Sequence, residues 1–281
     1  MAFANLFIVG SIKSGTSSLF KYFESHKEIY VPRIKELHFF TDLVQTKRST
    51  SNTDWRTTKK THSLKVDSIE SYNEIYSENQ GEKYLVDASP TYCIDIDALE
   101  GIRKYNPEAR IILFVRDPIE RLKSHLQMAM RIQNKNLNQL LFESEGLQFE
   151  NGLYLKYSSY HEILLNLLEV FDSKKILIIS SQAFFENQIE VMQKVYRWLE
   201  LDYTETNQII HSNNLTLPNN WKFLRHTNLK RIVPSKAKIS ITKFVVNKYK
   251  MTINLPENVI RQLESNYQKA QTLKKHFYWI E

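Results

Sequence analysis

Cysteine and long apolar runs are scarce in this chain of 281 residues, and each scarcity excludes a class of protein. The one cysteine, Cys93, excludes an intrachain disulfide framework and any metal site built from several cysteines. No run approaches the roughly 18 apolar residues of a membrane-spanning helix. The first apolar run, Leu6–Val9, passes at once into a polar loop, which leaves no room ahead of it for a signal peptide. We therefore expect a cytoplasmic protein without a transmembrane segment.

The remaining composition is that of an ordinary globular protein with a positive charge. Hydrophobic residues make up 42% and charged residues 25% of the chain, so disorder is not expected for most of its length. This length allows a sizeable core, and we predict one domain spanning residues 1–281. Lysine and arginine exceed aspartate and glutamate by 38 to 31, and the net charge of +7 favours an anionic partner. The sequence does not fix the oligomeric state.

Short apolar runs alternate with amphipathic segments along the chain. Strands alternating with helices indicate an α/β fold, with a central, mostly parallel sheet flanked by helices. Four runs are predicted as buried strands: Asn5–Val9, Lys83–Val86, Arg110–Val115 and Lys175–Ile179. Apolar faces at helical spacing predict four helices, which contain Leu19–Phe23, Ile163–Phe171, Val191–Leu199 and Val259–Ala270.

Two polar stretches interrupt this alternation. Residues 41–80 are dominated by serine, threonine, asparagine and lysine, and are predicted to form a lid or an acceptor-side insertion. Residues 203–255 are irregular and contain a basic stretch.

A loop rich in glycine and serine, Gly10–Ser18, follows the first predicted strand. Glycines allow a tight turn in which successive N–H groups face one point, and the start of the following helix adds its positive end. Lys13 and several hydroxyls lie beside that point, so the loop is predicted to bind phosphate. A Walker A loop would end in Gly-Lys-Ser/Thr, whereas Gly15 is followed by Thr16. This difference disfavours an ATP-dependent kinase.

A second anion-binding pattern follows the third predicted strand. In Arg116-Asp117-Pro118, the proline suits the first turn of a helix and the aspartate suits its N-cap. Arg116 lies where the strand ends, and Ser124 lies two turns into the helix. The guanidinium and the hydroxyl are therefore placed to meet around one phosphate.

An acid–base pair is the third feature. Glu36 and His38 lie in the segment Lys35–Phe40, and their side chains would point to the same side if this segment were extended. Asp87–Pro90 follows the second predicted strand. Because the carboxyl ends of parallel strands share one edge of a sheet, we expect these polar loops to form one site.

Taken in order, these motifs resemble those of sulfotransferases that use 3′-phosphoadenosine 5′-phosphosulfate (PAPS). Lys13-Ser14-Gly15-Thr16 resembles the 5′-phosphosulfate loop of that family, and Arg116-Asp117-Pro118 with Ser124 is similar to its 3′-phosphate motif. Lys35–Phe40, Asp87–Tyr92 and Gly152-Leu153-Tyr154 are similar to blocks of the heparan-sulfate-type branch. The resemblance covers roughly residues 4–200 and implies a P-loop-like, three-layer α/β fold.

The resemblance also implies a role for each of these residues. Lys13 would stabilise the leaving group, and Glu36 would be the base, with His38 as the alternative because other branches of the family use histidine. The remaining residues implied to bind the nucleotide are Ser14, Gly15, Thr16, Ser17, Ser18, Arg116, Ser124 and Tyr154. The residues expected to contact the acceptor are Glu36, Phe39, Asp87, Ser89 and Tyr92. No metal is expected, and the acceptor would be a small molecule, a lipid or a sugar.

Two other functions are consistent with parts of the pattern. A nucleotide or small-molecule kinase of the P-loop type also needs a phosphate-binding loop and basic residues. A basic module that binds nucleic acid or an acidic protein would explain the charge of +7, but it would not explain Arg116 with Ser124. Binding of 3′-phosphoadenosine 5′-phosphate (PAP), but not of ATP or RNA, would separate the three functions.

Overall fold

The computed structural model describes residues 3–43, 66–133, 137, 152–203 and 253–281. Most of the predicted insertion at 41–80 and almost all of the predicted basic region at 203–255 lie outside the described residues. The extent of the domain, predicted as 1–281, stays a prediction.

A six-stranded sheet in the order β2-β3-β1-β4-β5-β6 forms the centre of the fold, and every neighbouring pair of strands is parallel. The strands are β1 Leu6–Gly10, β2 Ile29–Tyr30, β3 Tyr84–Asp87, β4 Arg110–Val115, β5 Ile176–Ser180 and β6 Tyr278–Ile280. The four predicted strands are present with ends within one residue of those expected. The short strands β2 and β6 extend the sheet at its two edges and were not predicted.

Helices follow most of the strands, as the alternating pattern predicts. Their bounds are α1 Thr16–Glu24, α2 Ile69–Glu74, α3 Ile96–Tyr105, α4 Pro118–Gln133, α5 Leu153–Lys156, α6 Tyr160–Val170, α7 Ser181–Glu186, α8 Gln188–Trp198 and α9 Glu257–Thr272. None of the helices in the described ranges is long and apolar enough to cross a membrane. The cytoplasmic location stays a prediction.

The core lies on both faces of the sheet. In β1, Phe7 and Val9 face a buried cluster that includes residues of α3 and α6. Leu6 and Ile8 face the opposite cluster, which includes residues of α1 and α8. A sheet covered on both faces buries successive residues of each strand, which is why the strands read as continuous apolar runs in the sequence. The predicted three-layer α/β fold is confirmed.

Gly10, the last residue of β1, is in close contact with the layer that carries α3. A Cβ atom at this position would lie 2.5 Å from Cys93 Sγ and 3.2 Å from Leu113 Cδ1. We expect Gly10→Ala to lower the free energy of unfolding by about 1–3 kcal/mol, because overpacking forces the buried neighbours to move. Denaturant melts of the variant and the parent protein would measure this difference.

The close approach of the added Cβ atom to Cys93 Sγ allows a control for that prediction. Cys93→Ala removes Sγ, so the double variant Gly10→Ala/Cys93→Ala should recover part of the stability lost in Gly10→Ala. Strictly additive losses from the two substitutions would show that a different contact is responsible.

Candidate active site

A cavity of about 1040 Å³ lies at the edge of the sheet where β1, β4 and β5 end. The polar loops that follow these strands reach the same space because parallel strands end on one side. The predicted site residues that line it are Lys13, Gly15, Thr16, Ser17, Glu36, His38, Arg116 and Ser124. Eight residues predicted from three separate segments of the sequence therefore meet at one cavity.

The loop between β1 and α1 forms one wall of the cavity. Gly15 has a φ of 123°, a conformation that L side chains rarely adopt, and α1 begins at the next residue, Thr16. The first N–H groups of a helix have no acceptor within the helix, so the start of α1 gives this wall donors for an anion. Thr16 and Ser17 also line the cavity. Ser14 and Ser18 are fully buried behind the loop and do not line it.

Arg116 connects the end of β4 to this loop. Its Nη1 donates a hydrogen bond to the carbonyl oxygen of Lys13 at 3.0 Å, and its main-chain N–H donates to the Tyr160 hydroxyl at 3.1 Å. Asp117 caps α4 by accepting a hydrogen bond from the Glu120 N–H at 2.8 Å, and α4 begins at Pro118, as expected from the local sequence.

Lys35 connects the carboxylate of Glu36 to the loop between β1 and α1. Lys35 Nζ lies 2.7 Å from Glu36 Oε1 and 3.1 Å from Ser17 Oγ. The Glu36 side chain is 49% exposed. Partial desolvation would raise the pKa of Glu36, but the charge and the hydrogen bond of Lys35, with a smaller effect of His38, outweigh it and hold the pKa below its usual value. Glu36 is therefore ionised at neutral pH.

His38 is held at its ring and at its backbone. Its Nδ1 lies 2.7 Å from Thr91 Oγ1, and its N–H donates to Ser89 Oγ at 3.1 Å. Burial lowers the pKa of His38; the neighbouring Glu36 opposes this effect, and Lys35 adds to it. The imidazole is therefore neutral at neutral pH.

The segment that carries Glu36 and His38 is not extended. Both residues have positive φ angles, 64° and 51°. The sequence placed the two side chains on the same side only if the segment was extended, and it is not. The two residues nevertheless line the same cavity, because the loop itself turns towards it.

Four residues predicted to contact the acceptor do not line the cavity, and their contact with the acceptor stays a prediction. Asp87, Ser89 and Tyr92 are fully buried, and the Phe39 ring stacks on Tyr72 with their centroids 4.6 Å apart. Asp87 accepts hydrogen bonds from the hydroxyls of Tyr72, Ser89 and Tyr92. These polar side chains turn inward because they satisfy one another's hydrogen bonds.

Tyr154, predicted to bind the nucleotide, also lies outside the cavity lining. Its ring packs against His125, and its carbonyl oxygen accepts a hydrogen bond from Arg121. Arg121 is fully buried against the loop between β1 and α1, and it also donates to Ser158 Oγ and to the carbonyl oxygen of Ile12. Burial lowers the pKa of Arg121 to about 10, so the guanidinium stays charged at neutral pH.

His125 lies beside this buried guanidinium. Its Nδ1 is 3.2 Å from Arg121 Nη1. Burial, Arg121 and Lys13 together lower the pKa of His125 to about 3, so its imidazole is neutral.

Several cavity residues were missed from the sequence. Phe185 is 51% exposed, although it is a large aromatic residue. The others include Thr91, Glu120, Met128, Ser180, Ser181, Gln182, Glu186 and Tyr267. Ser180–Gln182 could have been predicted, because they lie at the carboxyl end of β5, on the same edge of the sheet as the other loops. No local signal marks Tyr267, which α9 contributes from the far end of the chain.

The match to known proteins agrees with this arrangement. The sequence model of the "Sulfotransferase family" matches residues 5–205. The chain belongs to the sulfotransferase family. The matched residues include the loop after β1, the segment with Glu36 and His38, and Arg116 with Ser124.

Solved structures of sulfotransferases share the fold of this one. The structure of a sulfotransferase from Alicyclobacillus acidocaldarius is 24% identical, with a TM-score of 0.61 and 76% of this chain and 88% of that chain covered. The sulfotransferase domain of the curacin biosynthetic pathway is 17% identical, with a TM-score of 0.57 over 95% and 98% of the two chains. That of the Synechococcus PCC 7002 olefin synthase is 18% identical, with a TM-score of 0.54 over 97% and 96%.

Membership of the family identifies the enzyme class of this sulfotransferase. It favours a sulfotransferase over the kinase, which was the other enzyme class consistent with the sequence. The heparan-sulfate-type branch stays a prediction. Within the described ranges, no group of three or more histidine, cysteine, aspartate or glutamate side chains is arranged to hold a metal ion.

Proposed function

We propose that this sulfotransferase moves a sulfuryl group from PAPS to a hydroxyl or an amine of a small-molecule, lipid or sugar acceptor by in-line displacement. One observation carries the proposal: a single cavity is lined by the loop of Lys13, by Arg116 with Ser124, and by the ionised Glu36. Anion-binding groups and a base are the two components that this reaction requires.

The residues of the cavity fit a nucleotide with two separate anionic groups. When bound, PAPS supplies a sulfuryl group attached to a phosphate leaving group. The loop with Lys13 and the start of α1 would bind the 5′ end, because a full positive charge and helix N–H donors lie together there. Arg116 and Ser124, both in the cavity wall, would bind the 3′-phosphate through a guanidinium and a hydroxyl. A 3′-phosphate is what distinguishes PAP and PAPS from ATP.

Glu36 would accept the proton of the attacking hydroxyl or amine. Its lowered pKa keeps the carboxylate ionised, and the hydrogen bond from Lys35 restrains its orientation. The neutral His38 is the alternative base. The acceptor would approach from the part of the cavity where His38 and Thr91 lie.

Calorimetric titration of the purified protein with PAP tests the donor assignment. We expect a dissociation constant in the micromolar range for PAP and no detectable binding of ATP with Mg²⁺. The physical reason is that Arg116 and Ser124 would pair with a 3′-phosphate, which ATP lacks. Binding of ATP alone would overturn the proposal in favour of a kinase.

Paired variants show whether the binding is at this cavity. Arg116→Met should weaken PAP binding by about 10- to 100-fold, as expected for the loss of a charge-assisted hydrogen bond. Arg116→Met should change the affinity for adenosine 5′-phosphate much less. Arg33→Met is the matched control, because Arg33 is exposed and pairs with Glu78 outside the cavity. Equal losses in the two variants would point to a general charge effect.

A further inference from the structure

The loop with Glu36 and His38 has an unusual backbone. The φ angles of these two residues lie in the left-handed region, which residues other than glycine adopt rarely. Such conformations persist only where the surrounding structure holds them, and they concentrate at active sites. The contacts that hold this loop are therefore candidates for functional residues.

Three of these contacts come from the segment after β3. The N–H of Glu36 donates to the carbonyl oxygen of Ala88 at 3.2 Å. The N–H of His38 donates to Ser89 Oγ at 3.1 Å, and the ring Nδ1 of His38 lies 2.7 Å from Thr91 Oγ1. Residues 88–91 thus contact the backbone at both left-handed positions and the imidazole.

Asp87 fixes the direction of the Ser89 hydrogen bond. Ser89 Oγ donates its proton to Asp87 Oδ1 at 2.7 Å, so its lone pairs are left for the N–H of His38. The other carboxylate oxygen, Oδ2, accepts from the hydroxyls of Tyr72 at 2.9 Å and Tyr92 at 3.0 Å. Asp87, Ser89 and both tyrosines are fully buried. The network is therefore held in place by the core.

We propose that Ser89 and Thr91 are positioning residues for the acid–base pair. Ser89 holds the backbone turn at His38, two residues after Glu36, and Thr91 fixes the ring orientation of His38 through its Nδ1. This inference rests on the proposed function, because it concerns the groups that would move the acceptor proton. It gives Ser89 a role different from direct contact with the acceptor.

Thr91→Val removes the hydroxyl with little change of shape. We expect turnover of PAPS to fall by about 10-fold or more, because general acid–base groups lose efficiency when they are misplaced. The dissociation constant for PAP should stay within about 2-fold of that of the parent protein, since Thr91 is not among the proposed phosphate-binding groups. Thr91→Ser retains the hydroxyl and should restore most of the turnover.

Tyr84→Phe is the control for this substitution, because it also removes one buried hydroxyl. Tyr84 is buried to a similar degree, its hydroxyl donates to the carbonyl oxygen of Leu199 at 2.9 Å, and it does not line the cavity. This control variant should lose stability but keep turnover within about 2-fold, which separates loss of stability from loss of positioning.

The hydrogen bond between Thr91 and His38 Nδ1 can be tested independently of activity. Long-range ¹H–¹⁵N correlation spectra of ¹⁵N-histidine-labelled protein report the ¹⁵N shift of Nδ1, and His38→Gln assigns the signal. We expect similar Nδ1 shifts in the parent protein and in Thr91→Ser, and a different shift in Thr91→Val, which loses the hydrogen bond. The same Nδ1 shift in all three proteins would overturn the inference. Absence of PAP binding by the parent protein would instead overturn the donor assignment, so the two failures are distinguishable.

Discussion

Lys13→Ala should lower turnover of PAPS by about 100-fold or more while the protein stays folded. Lys13 lines the cavity within the phosphate-binding loop, where its charge would stabilise the leaving group. Lys13 has a φ of 69°. Alanine also has a Cβ atom, so the substitution keeps this backbone constraint and isolates the ammonium group.

Turnover would be measured as PAP release from PAPS, together with a thermal melt of each protein. Lys21→Ala is the matched control, because Lys21 lies in the last turn of α1 and does not line the cavity. The control should retain normal turnover. Near-normal turnover in Lys13→Ala would remove Lys13 from the mechanism.

Glu36→Gln should abolish transfer, with a loss of about 100-fold or more, and should leave PAP affinity almost unchanged. Glutamine has nearly the shape of glutamate, but its amide cannot accept the acceptor's proton. The carboxylate of Glu36 lies next to Lys35. Removing its charge therefore does not weaken the attraction of the cavity for a polyanion. Separate measurements of kcat and of the PAP dissociation constant for both proteins test this prediction.

His38→Ala and Glu78→Gln complete the test of the base. Glu78 is an exposed partner of Arg33 outside the cavity, so Glu78→Gln should keep full activity. A dead His38→Ala variant with an active Glu36→Gln variant would assign the base to histidine and contradict the role of Glu36.

Most of the fold could be predicted because the sheet is buried on both faces. Continuous apolar runs such as Arg110–Val115 predicted strands of nearly the right length. β2 and β6, with two and three residues, are too short to show any periodicity. They form through pairing with neighbours that are distant in sequence.

The site residues could be predicted where the end of a strand alone determines their place. They could not be predicted where distant hydrogen-bond partners determine the orientation of the side chain. Lys13 and Arg116 follow β1 and β4, so the parallel sheet alone brings them together. Asp87 ends β3 and Ser89 follows it, yet both are buried, because Asp87 accepts hydrogen bonds from Ser89 and from two buried tyrosine hydroxyls. The left-handed turn at His38 depends on the Ser89 hydroxyl, which accepts a hydrogen bond from the His38 N–H. Local sequence cannot show such partners.

The buried guanidinium of Arg121 has an electrostatic cost for the fold. Its hydrogen bonds to Ser158, Ile12 and Tyr154 all end on neutral oxygen atoms. Among the described residues no carboxylate pairs with it, and a full charge held away from water without a counter-ion destabilises a protein. An anion bound at the loop between β1 and α1 would act as that counter-ion. We therefore expect such an anion to raise the free energy of unfolding through a residue that it need not touch, so that ligand binding and folding are coupled.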